Sequence, residues 1–200
     1  MTNNSFRSLQ KNAIMFSSIL LPIALAASST LAQSVSGTPP GFAADTTGGA
    51  AGETVTPSTV DELTSYLTSS DPLTIVINGE FNYIGTEGTT SETGCAPWGT
   101  DSACQLAINA NDWCGDNPAA DVSYDNAGTT PIDVASDKTI LGTGSDAVIR
   151  GKGLRFANGA SNVIIQNVHI TELNPQYVWG GDAITLDGSS SKLLHPSTIF

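Results

Sequence analysis

The sequence is short of positive charge. Its 200 residues contain 7 Lys and Arg against 19 Asp and Glu, and the formal net charge is −12. A protein that binds nucleic acid through phosphate contacts needs more cations, so this class of partner is excluded. Charged residues make up only 13% of the chain. That low share argues against a helical bundle or a coiled coil, since both are rich in Ala, Glu, Lys and Leu.

Long hydrophobic runs are also scarce. The one candidate, residues 13–27, is interrupted by serines and a proline and is shorter than the ~20 residues that a membrane-spanning helix needs. Arg7 and Lys11 precede this run, and small residues follow it. These features predict a secretory signal peptide over residues 1–32 and a mature protein that is extracellular, without a membrane partner.

Cysteine and histidine are few. The cysteines are Cys95, Cys104 and Cys114, and an oxidising compartment favours a disulfide between two of them. A zinc site is the weaker alternative, because the spacings are long and no histidine lies nearby. The residues leave open which pair forms. His169 lies within a predicted strand and is expected to be a surface histidine.

The chain does have 40% hydrophobic residues and 20 glycines, a composition that favours a folded, loop-rich, all-β protein over a disordered one. Thr59 and Glu62 have the spacing of a capping box before a short amphipathic helix over Val60–Leu67. A β-branched strand, Leu73–Ile77, follows the helix. Residues 85–131, which carry the cysteines, show little periodicity.

In the second half of the chain, short β-branched runs alternate with Gly and Asn turns. Ile140, Ile164 and Ile184 suggest a repeat of about 20 to 25 residues, which is typical of a solenoid of stacked strands. A β-sandwich is the alternative. Residues 163–170 have the form of two strands bent at Asn167, which favours the solenoid. The amphipathic helix is then expected to cover an open end of the solenoid core.

Six segments of the chain resemble fungal pectin lyases. The segments are Gly85–Thr90, Gly94–Thr100, Asn111–Cys114, Gly151–Arg155, Asn162–Asn167 and Tyr177–Asp187. This resemblance implies a right-handed, single-stranded parallel β-helix, with residues 33–187 as the N-terminal part of that domain. It also implies a disulfide between Cys95 and Cys114, with the partner of Cys104 far downstream and outside this chain.

The resemblance implies an activity as well: β-elimination of methyl-esterified (1→4)-α-D-galacturonan, the pectin of plant cell walls, by a secreted monomer. The ester carbonyl acidifies the neighbouring C5 proton, a base removes that proton, and the C4 oxygen leaves. No cofactor is implied, because a neutral ester needs no metal to offset a carboxylate charge. The alternative enzyme is a calcium-dependent pectate lyase, which acts on the anionic polymer.

The resemblance also assigns site residues. Asp182 is expected to support catalysis by orienting a catalytic arginine, and the alternative is a turn aspartate that binds backbone amides. Trp98, Trp113 and Trp179 are expected to line the substrate cleft, because aromatic faces stack on sugar rings. For these three, the alternative is packing beneath the long loop. A hydrolytic acid pair of Asp182 and Asp187 is disfavoured, because no other motif of the polygalacturonases is found.

The resemblance stops after Asp187. Residues 188–200 do not match the pectin lyase pattern and show no strand alternation. The arginines that the pectin lyases use, one of them the expected base, have no counterpart here, since Arg150 and Arg155 lie at other positions. The resulting hypothesis is a truncated chain that is inactive alone. The alternative class is a non-catalytic secreted protein that binds pectin.

Overall fold

The structure is a computed structural model that describes Met1 and residues 34–38, 41–188 and 193–194. Apart from Met1, the predicted signal peptide lies outside the described residues. The described residues from Ser34 onward lie in one compact unit. No helix within these described ranges is long and apolar enough to cross a membrane.

Strands dominate the described chain. In order they are β1 (Glu53–Val55), β2 (Leu73–Ile77), β3 (Glu80–Asn82), β4 (Thr89–Cys95), β5 (Leu106–Ala107), β6 (Ala119–Asp125), β7 (Ile132–Asp133), β8 (Lys138–Gly142), β9 (Val148–Arg150), β10 (Leu154–Ala157), β11 (Val163–Gln166), β12 (His169–Thr171), β13 (Tyr177–Val178), β14 (Ile184–Asp187) and β15 (Leu193–Leu194). The α-helices are α1 (Val60–Thr68) and α2 (Asn126–Thr129), and short 3-10 helices span Gly41–Ala43 and Ala110–Asp112. The all-β prediction is confirmed.

Three of the sheets contain only parallel pairs. Their strand orders are β1-β2-β8-β11-β15, β12-β9-β3 and β14-β10-β7. Strands β8, β9 and β10 enter the three sheets in turn, and β11, β12 and β14 repeat that order. Parallel pairing of this kind differs from the antiparallel sheets of a β-sandwich. The repeat is visible in Asp137 and Asn162, which are 25 residues apart and joined by a 2.6 Å side-chain hydrogen bond.

The three isoleucines that suggested the repeat do not occupy equivalent positions in it. Ile140 lies opposite Ile165 rather than Ile164, and Ile184 pairs with Leu154 in another sheet. A shift of one residue moves a side chain to the opposite face of the sheet. Ile140 and Ile165 accordingly belong to the main core, while Ile164 approaches the N-terminal segment at Gly48 on the other face.

The predicted bend at Asn167 is present between β11 and β12. Asn167 has a φ of 56°, a left-handed conformation that Asn tolerates better than most residues. Its Nδ2 donates to the carbonyl oxygens of Gly142 at 3.0 Å and Gly144 at 2.8 Å. The Asn167 side chain thus connects one repeat to the backbone of the preceding repeat.

Helix α1 packs against the core of the parallel sheets. Thr59 caps it as predicted, because Thr59 Oγ1 accepts a 3.1 Å hydrogen bond from the amide of Glu62. The Glu62 carboxylate accepts 2.7 Å hydrogen bonds from the amide and the hydroxyl of Ser58. Leu63 and Leu67 are fully buried in the core cluster. Each leucine contributes about 2 kcal/mol through burial.

Residues 85–131 contain more regular structure than their weak periodicity indicated. Strands β4 and β6 form an antiparallel ribbon from Thr89 opposite Asp125 to Cys95 opposite Ala119. With β5 and β13 they make a fourth sheet, ordered β13-β5-β4-β6. A Cβ atom at Gly94 would lie 2.1 Å from the carbonyl oxygen of Ala107. Only glycine therefore fits where β4 passes β5.

The structure describes part of the segment 188–200. Strand β15 lies within it and pairs in parallel with β11, with Leu193 opposite Val163. Two leucines are too few to produce a detectable alternation in the sequence, and their pairing depends on a strand that is distant along the chain.

Candidate functional site

The three tryptophans lie together on the surface. The ring centroids of Trp98 and Trp113 are 6.4 Å apart, and those of Trp113 and Trp179 are 6.1 Å apart. Their exposed fractions are 57% for Trp98, 38% for Trp113 and 53% for Trp179. These exposures do not fit packing beneath the loop, because a packed indole would be largely buried. The resemblance predicted that all three line a substrate cleft, and in the structure their rings lie in one row.

The disulfide positions the first two indoles. Cys95 and Cys114 are bonded, as the resemblance implied. Trp113 directly precedes Cys114, and Trp98 follows Cys95 in the next turn, so the cross-link joins the two segments that carry these rings. Cys104 is a free thiol, and its Sγ donates to the carbonyl oxygen of Trp98 at 3.2 Å.

A tight turn presents the third indole. Trp179 has a φ of 67°, a left-handed value that costs an ordinary residue energy unless its surroundings enforce it. The amide of Gly180 donates to the carbonyl oxygen of Tyr177 at 3.2 Å, closing the turn. A Cβ atom at Gly180 would lie 2.5 Å from the carbonyl oxygen of Asn174. The backbone of Asn174 therefore packs directly against this turn and holds it in place.

Asn174 is a site-building residue that sequence reasoning missed. Its side chain is 6% exposed, and its Nδ2 donates to the carbonyl oxygens of Gly180 at 2.8 Å and Asp125 at 3.0 Å. Its Oδ1 accepts from the amide of Asp125 at 2.9 Å. Asn174 therefore joins the Trp179 turn to the end of β6. The only sequence signal was the Asn-Pro pair, which indicates a turn and nothing more.

Trp179 borders a cavity of about 650 Å³ whose lining includes Asp182, Arg155, Tyr177 and Thr185. Asp182 lies just before β14, and Arg155 lies on the neighbouring strand β10. A Cβ atom at Gly153 would lie 1.9 Å from the carbonyl oxygen of Asp182, so glycine at that position lets the Asp182 backbone approach β10.

Asp182 is exposed. Across the described ranges, its carboxylate makes neither a side-chain hydrogen bond nor an ion pair. The structure thus gives no support to the alternative of a turn aspartate bound to backbone amides. Asp182 also has no arginine partner in the described part of the chain. Arg155 instead bonds Asp187 at 2.6 Å and Asp133 at 3.4 Å. Hydrogen bonding to Asp187 and the charge of Asp133 raise the pKa of Arg155 above its ordinary value.

Two other sequence-based candidates lie apart from the cavity lining. His169 is on the surface of β12, as expected. Asp187 is bound to Arg155, so it does not form a free acid pair with Asp182. Within the ranges that the structure describes, no group of three or more His, Cys, Asp or Glu side chains is placed to hold a metal ion.

The fold and this site define a class: an all-β protein of stacked parallel strands that presents a row of exposed indoles beside a cavity whose lining includes Asp182 and Arg155. The ring planes are tilted by 47° between Trp98 and Trp113 and by 72° between Trp113 and Trp179, and an exposed indole combines an apolar face with a polar N–H group. No family model matches the chain. Comparison with individual proteins is more specific.

The chain is similar to curated fungal pectin lyases. It is 62% identical over 160 residues to a probable pectin lyase A of Aspergillus oryzae, an alignment covering 78% of this chain and 42% of that protein. It is 57% identical over 174 residues to pectin lyase B of Emericella nidulans, covering 85% of this chain and 46% of the relative. For pectin lyase A of the same organism, identity is 56% over 179 residues, or 86% and 47% of the two chains. The chain spans about half the length of the curated relatives it matches. The predicted resemblance to fungal pectin lyases, a group of polysaccharide lyases, is confirmed.

Proposed function

We propose that this chain forms part of the pectin-binding cleft of a secreted pectin lyase that cleaves methyl-esterified galacturonan by β-elimination. The observation that carries the proposal is the row of three exposed tryptophans that leads to the cavity containing Asp182. A linear polysaccharide presents successive flat, weakly polar ring faces, and a row of indoles can stack against them.

The proposed scaffold is a right-handed parallel β-helix. The three parallel sheets and their repeated strand order support it. In this proposal residues 1–32 are a signal peptide, residues 33–187 belong to the β-helix domain, and residues 188–200 do not follow the pectin lyase pattern. The proposed location is extracellular, and the protein acts as a monomer on pectin.

The proposed chemistry removes the C5 proton of a methyl galacturonate residue and breaks the C4–O bond of the same residue. A C4=C5 double bond forms, and the glycosidic oxygen leaves with the neighbouring sugar and takes up a proton. The ester carbonyl takes up charge as the proton leaves, so the base must be held close to C5. The role proposed for Asp182 is to orient that base through its unpaired carboxylate. The tryptophan row would hold the polysaccharide in the position that the reaction requires. Since no residue of this chain matches the expected arginine base, binding is the part of the function expected from this chain itself.

The test is binding of methyl-esterified oligogalacturonides by the 200-residue chain, followed by quenching of tryptophan fluorescence. Trp113→Ala removes the ring that contacts both of its neighbours and should weaken binding about fivefold to tenfold. The matched control is Phe42→Ala, which removes an aromatic side chain that is 96% exposed and outside the row. Equal losses in the two variants, or no binding by the unaltered chain, would contradict the proposal.

A second measurement separates the alternatives. The ultraviolet absorbance of unsaturated products reports elimination, and it can be followed with calcium or with a chelator. Product formation on the esterified polymer under both conditions supports a pectin lyase. Product that requires calcium and the unesterified polymer supports a pectate lyase. Binding without product is the result expected of this chain by itself, because no residue of it matches the arginine base.

A further inference from the structure

The sheet beneath the cavity carries a line of alternating charges. Asp133 on β7, Arg155 on β10 and Asp187 on β14 lie on three neighbouring strands of one parallel sheet. The Arg155 guanidinium lies between the two carboxylates, with Nη1 3.4 Å from Asp133 Oδ1 and Nη2 2.6 Å from Asp187 Oδ2. We call these three residues the cleft ladder. Arg155 belongs to the lining of the cavity that contains Asp182 and Trp179.

The cleft ladder determines whether the Arg155 guanidinium is free to bind an anion at this cavity. A free guanidinium would bind a carboxylate through two parallel hydrogen bonds. Here the carboxylates of Asp133 and Asp187 already occupy both arms of the fork. One positive and two negative charges leave the ladder with a net negative charge, and the unpaired Asp182 adds another. Arg155 is the single basic side chain in the described lining of this cavity.

The remaining cations give an incoming carboxylate no substitute. Arg150 is paired with Glu80 and Glu172, and Lys152 is paired with Glu87. Lys138 is fully buried, and its ammonium donates to two backbone carbonyl oxygens. In the described ranges, each lysine and arginine is therefore paired with carboxylates or removed from solvent.

Resting on the proposed function, we infer that the cleft ladder is a specificity element: Asp133 and Asp187 neutralise Arg155, so that the cleft favours uncharged methyl-ester residues over free galacturonate. A methyl ester carries no charge and is not repelled by the net negative ladder, whereas a free carboxylate is repelled and finds no open guanidinium. Because the Asp133 and Asp187 side chains are 57% and 60% exposed, solvent screens the repulsion, and a moderate discrimination is expected.

The chain contains a matched control. Glu80, Arg150 and Glu172 form the same acid–base–acid arrangement on the sheet of β3, β9 and β12. Arg150 Nη2 is 2.8 Å from Glu172 Oε2, and Nη1 is 3.5 Å from Glu80 Oε1. None of these three residues lines the cavity, whereas Arg155, the basic member of the cleft ladder, does. We call this set the control ladder, since neutralising its two acids changes the net charge of the protein by the same amount.

The experiment measures dissociation constants for a methyl-esterified trigalacturonide and for its free acid, on the full chain. In the Asp133→Asn/Asp187→Asn variant, binding of the free acid should tighten about fivefold, with ester binding changed less than about twofold. Arg155→Gln should weaken binding of the acid relative to the ester. High salt should shrink both effects. The control variant Glu80→Gln/Glu172→Gln should leave the acid-to-ester ratio within about twofold of the unaltered chain.

The ratio is taken on one protein sample, so a variant that is partly unfolded lowers both affinities equally and leaves the ratio unchanged. An unchanged ratio in Asp133→Asn/Asp187→Asn, or an equal change in the control variant, would overturn the inference while ester binding by the unaltered chain upholds the proposed function. If the unaltered chain binds neither trigalacturonide, the proposed function fails and the inference fails with it.

Discussion

Two regions of the molecule are stabilised in different ways. The rung region, made of the strands of the three parallel sheets, encloses a continuous aliphatic core that includes Ile149, Leu154 and Val163, all fully buried. The ribbon region, made of β4, β5, β6 and β13, has a second cluster of only Cys95, Ala107 and Cys114 with Val178 packed against it. A small cluster of this kind excludes little apolar area from water.

The difference shows how the site is built. Two of the three tryptophans belong to the ribbon region, where the Cys95–Cys114 disulfide and hydrogen bonds replace a core. Asp182 and Arg155 belong to the rung region. Core packing in the rung region therefore positions Asp182 and Arg155, whereas the disulfide in the ribbon region positions two of the tryptophans. Damage to either region is expected to leave different parts of the site intact.

The largest expected effect comes from the rung core. Phe156 on β10 is 1% exposed, and Phe156→Ala should lower the free energy of unfolding by about 3–5 kcal/mol through lost burial and a residual cavity. The ribbon counterpart is Val122→Ala on β6, where a side chain 2% exposed should cost about 1–2 kcal/mol. Urea denaturation followed by circular dichroism measures both. Equal losses would mean that the two regions share one core.

The next effect concerns the disulfide. The variant Cys95→Ala/Cys114→Ala opens a cross-link between residues 19 apart and should cost about 3 kcal/mol. The loss should be local, because the rung core does not contain either cysteine. Hydrogen exchange should therefore show lost protection in β4 and β6 and retained protection in β8 and β11. Cys104→Ser is the control, since it preserves a donor to the Trp98 carbonyl oxygen.

The same comparison explains what the sequence could predict. Leu73–Ile77 and Val163–Gln166 were recognisable as strands because their apolar runs are buried in the core. Helix α1 was recognisable from the cap at Thr59. Strands β4 and β6 were not, because most of their residues are small or polar and only Gly94, Cys95 and Val122 are buried. The two strands pair with each other across a long stretch of sequence, so no local pattern indicates the pairing.

The site was predictable in part for a related reason. Trp98, Trp113, Trp179 and Asp182 came from resemblance to pectin lyases, and their side-by-side placement depends on the disulfide and on the Asn174 hydrogen bonds. The sequence indicated the repeat but not the register of Ile164, because adjacent residues of an apolar run do not reveal which face is inside. That this 200-residue chain is inactive alone stays a prediction.

A smaller effect is expected where the two regions meet. Lys152, which precedes β10, forms an ion pair with Glu87, which precedes β4, and donates to Thr130 Oγ1 at 3.1 Å. Partial burial alone would raise the pKa of Glu87, but hydrogen bonds from Lys152 and Thr130 lower it below its ordinary value of 4.5. A lowered folded-state pKa contributes stability above the unfolded value, and that stability is lost as the pH falls through the folded value.

Glu87→Gln should therefore cost about 1 kcal/mol at neutral pH, a modest value because the Glu87 side chain is 38% exposed and solvent screens the pair. Once the pH falls below the lowered folded-state pKa of Glu87, the variant and the unaltered chain should be equally stable. Urea midpoints measured across this pH range test the prediction, with the exposed Glu53→Gln as the control. A difference that persists in acid would show that Glu87 acts through packing and not through its charge.

The smallest effect is expected from the control ladder, and it limits what exposed ion pairs contribute to the rung region. Arg150 and Glu172 are 35% and 45% exposed, so water competes for the same hydrogen bonds and two long side chains lose freedom when they pair. Glu172→Gln should therefore leave the urea midpoint at neutral pH unchanged within the error of the measurement, in low and in high salt. Arg150 itself is unchanged in this variant, so any apolar contact of its side-chain stem is preserved. A clear loss of stability that disappears in high salt would mean that charge, as well as the aliphatic core, holds the parallel strands together.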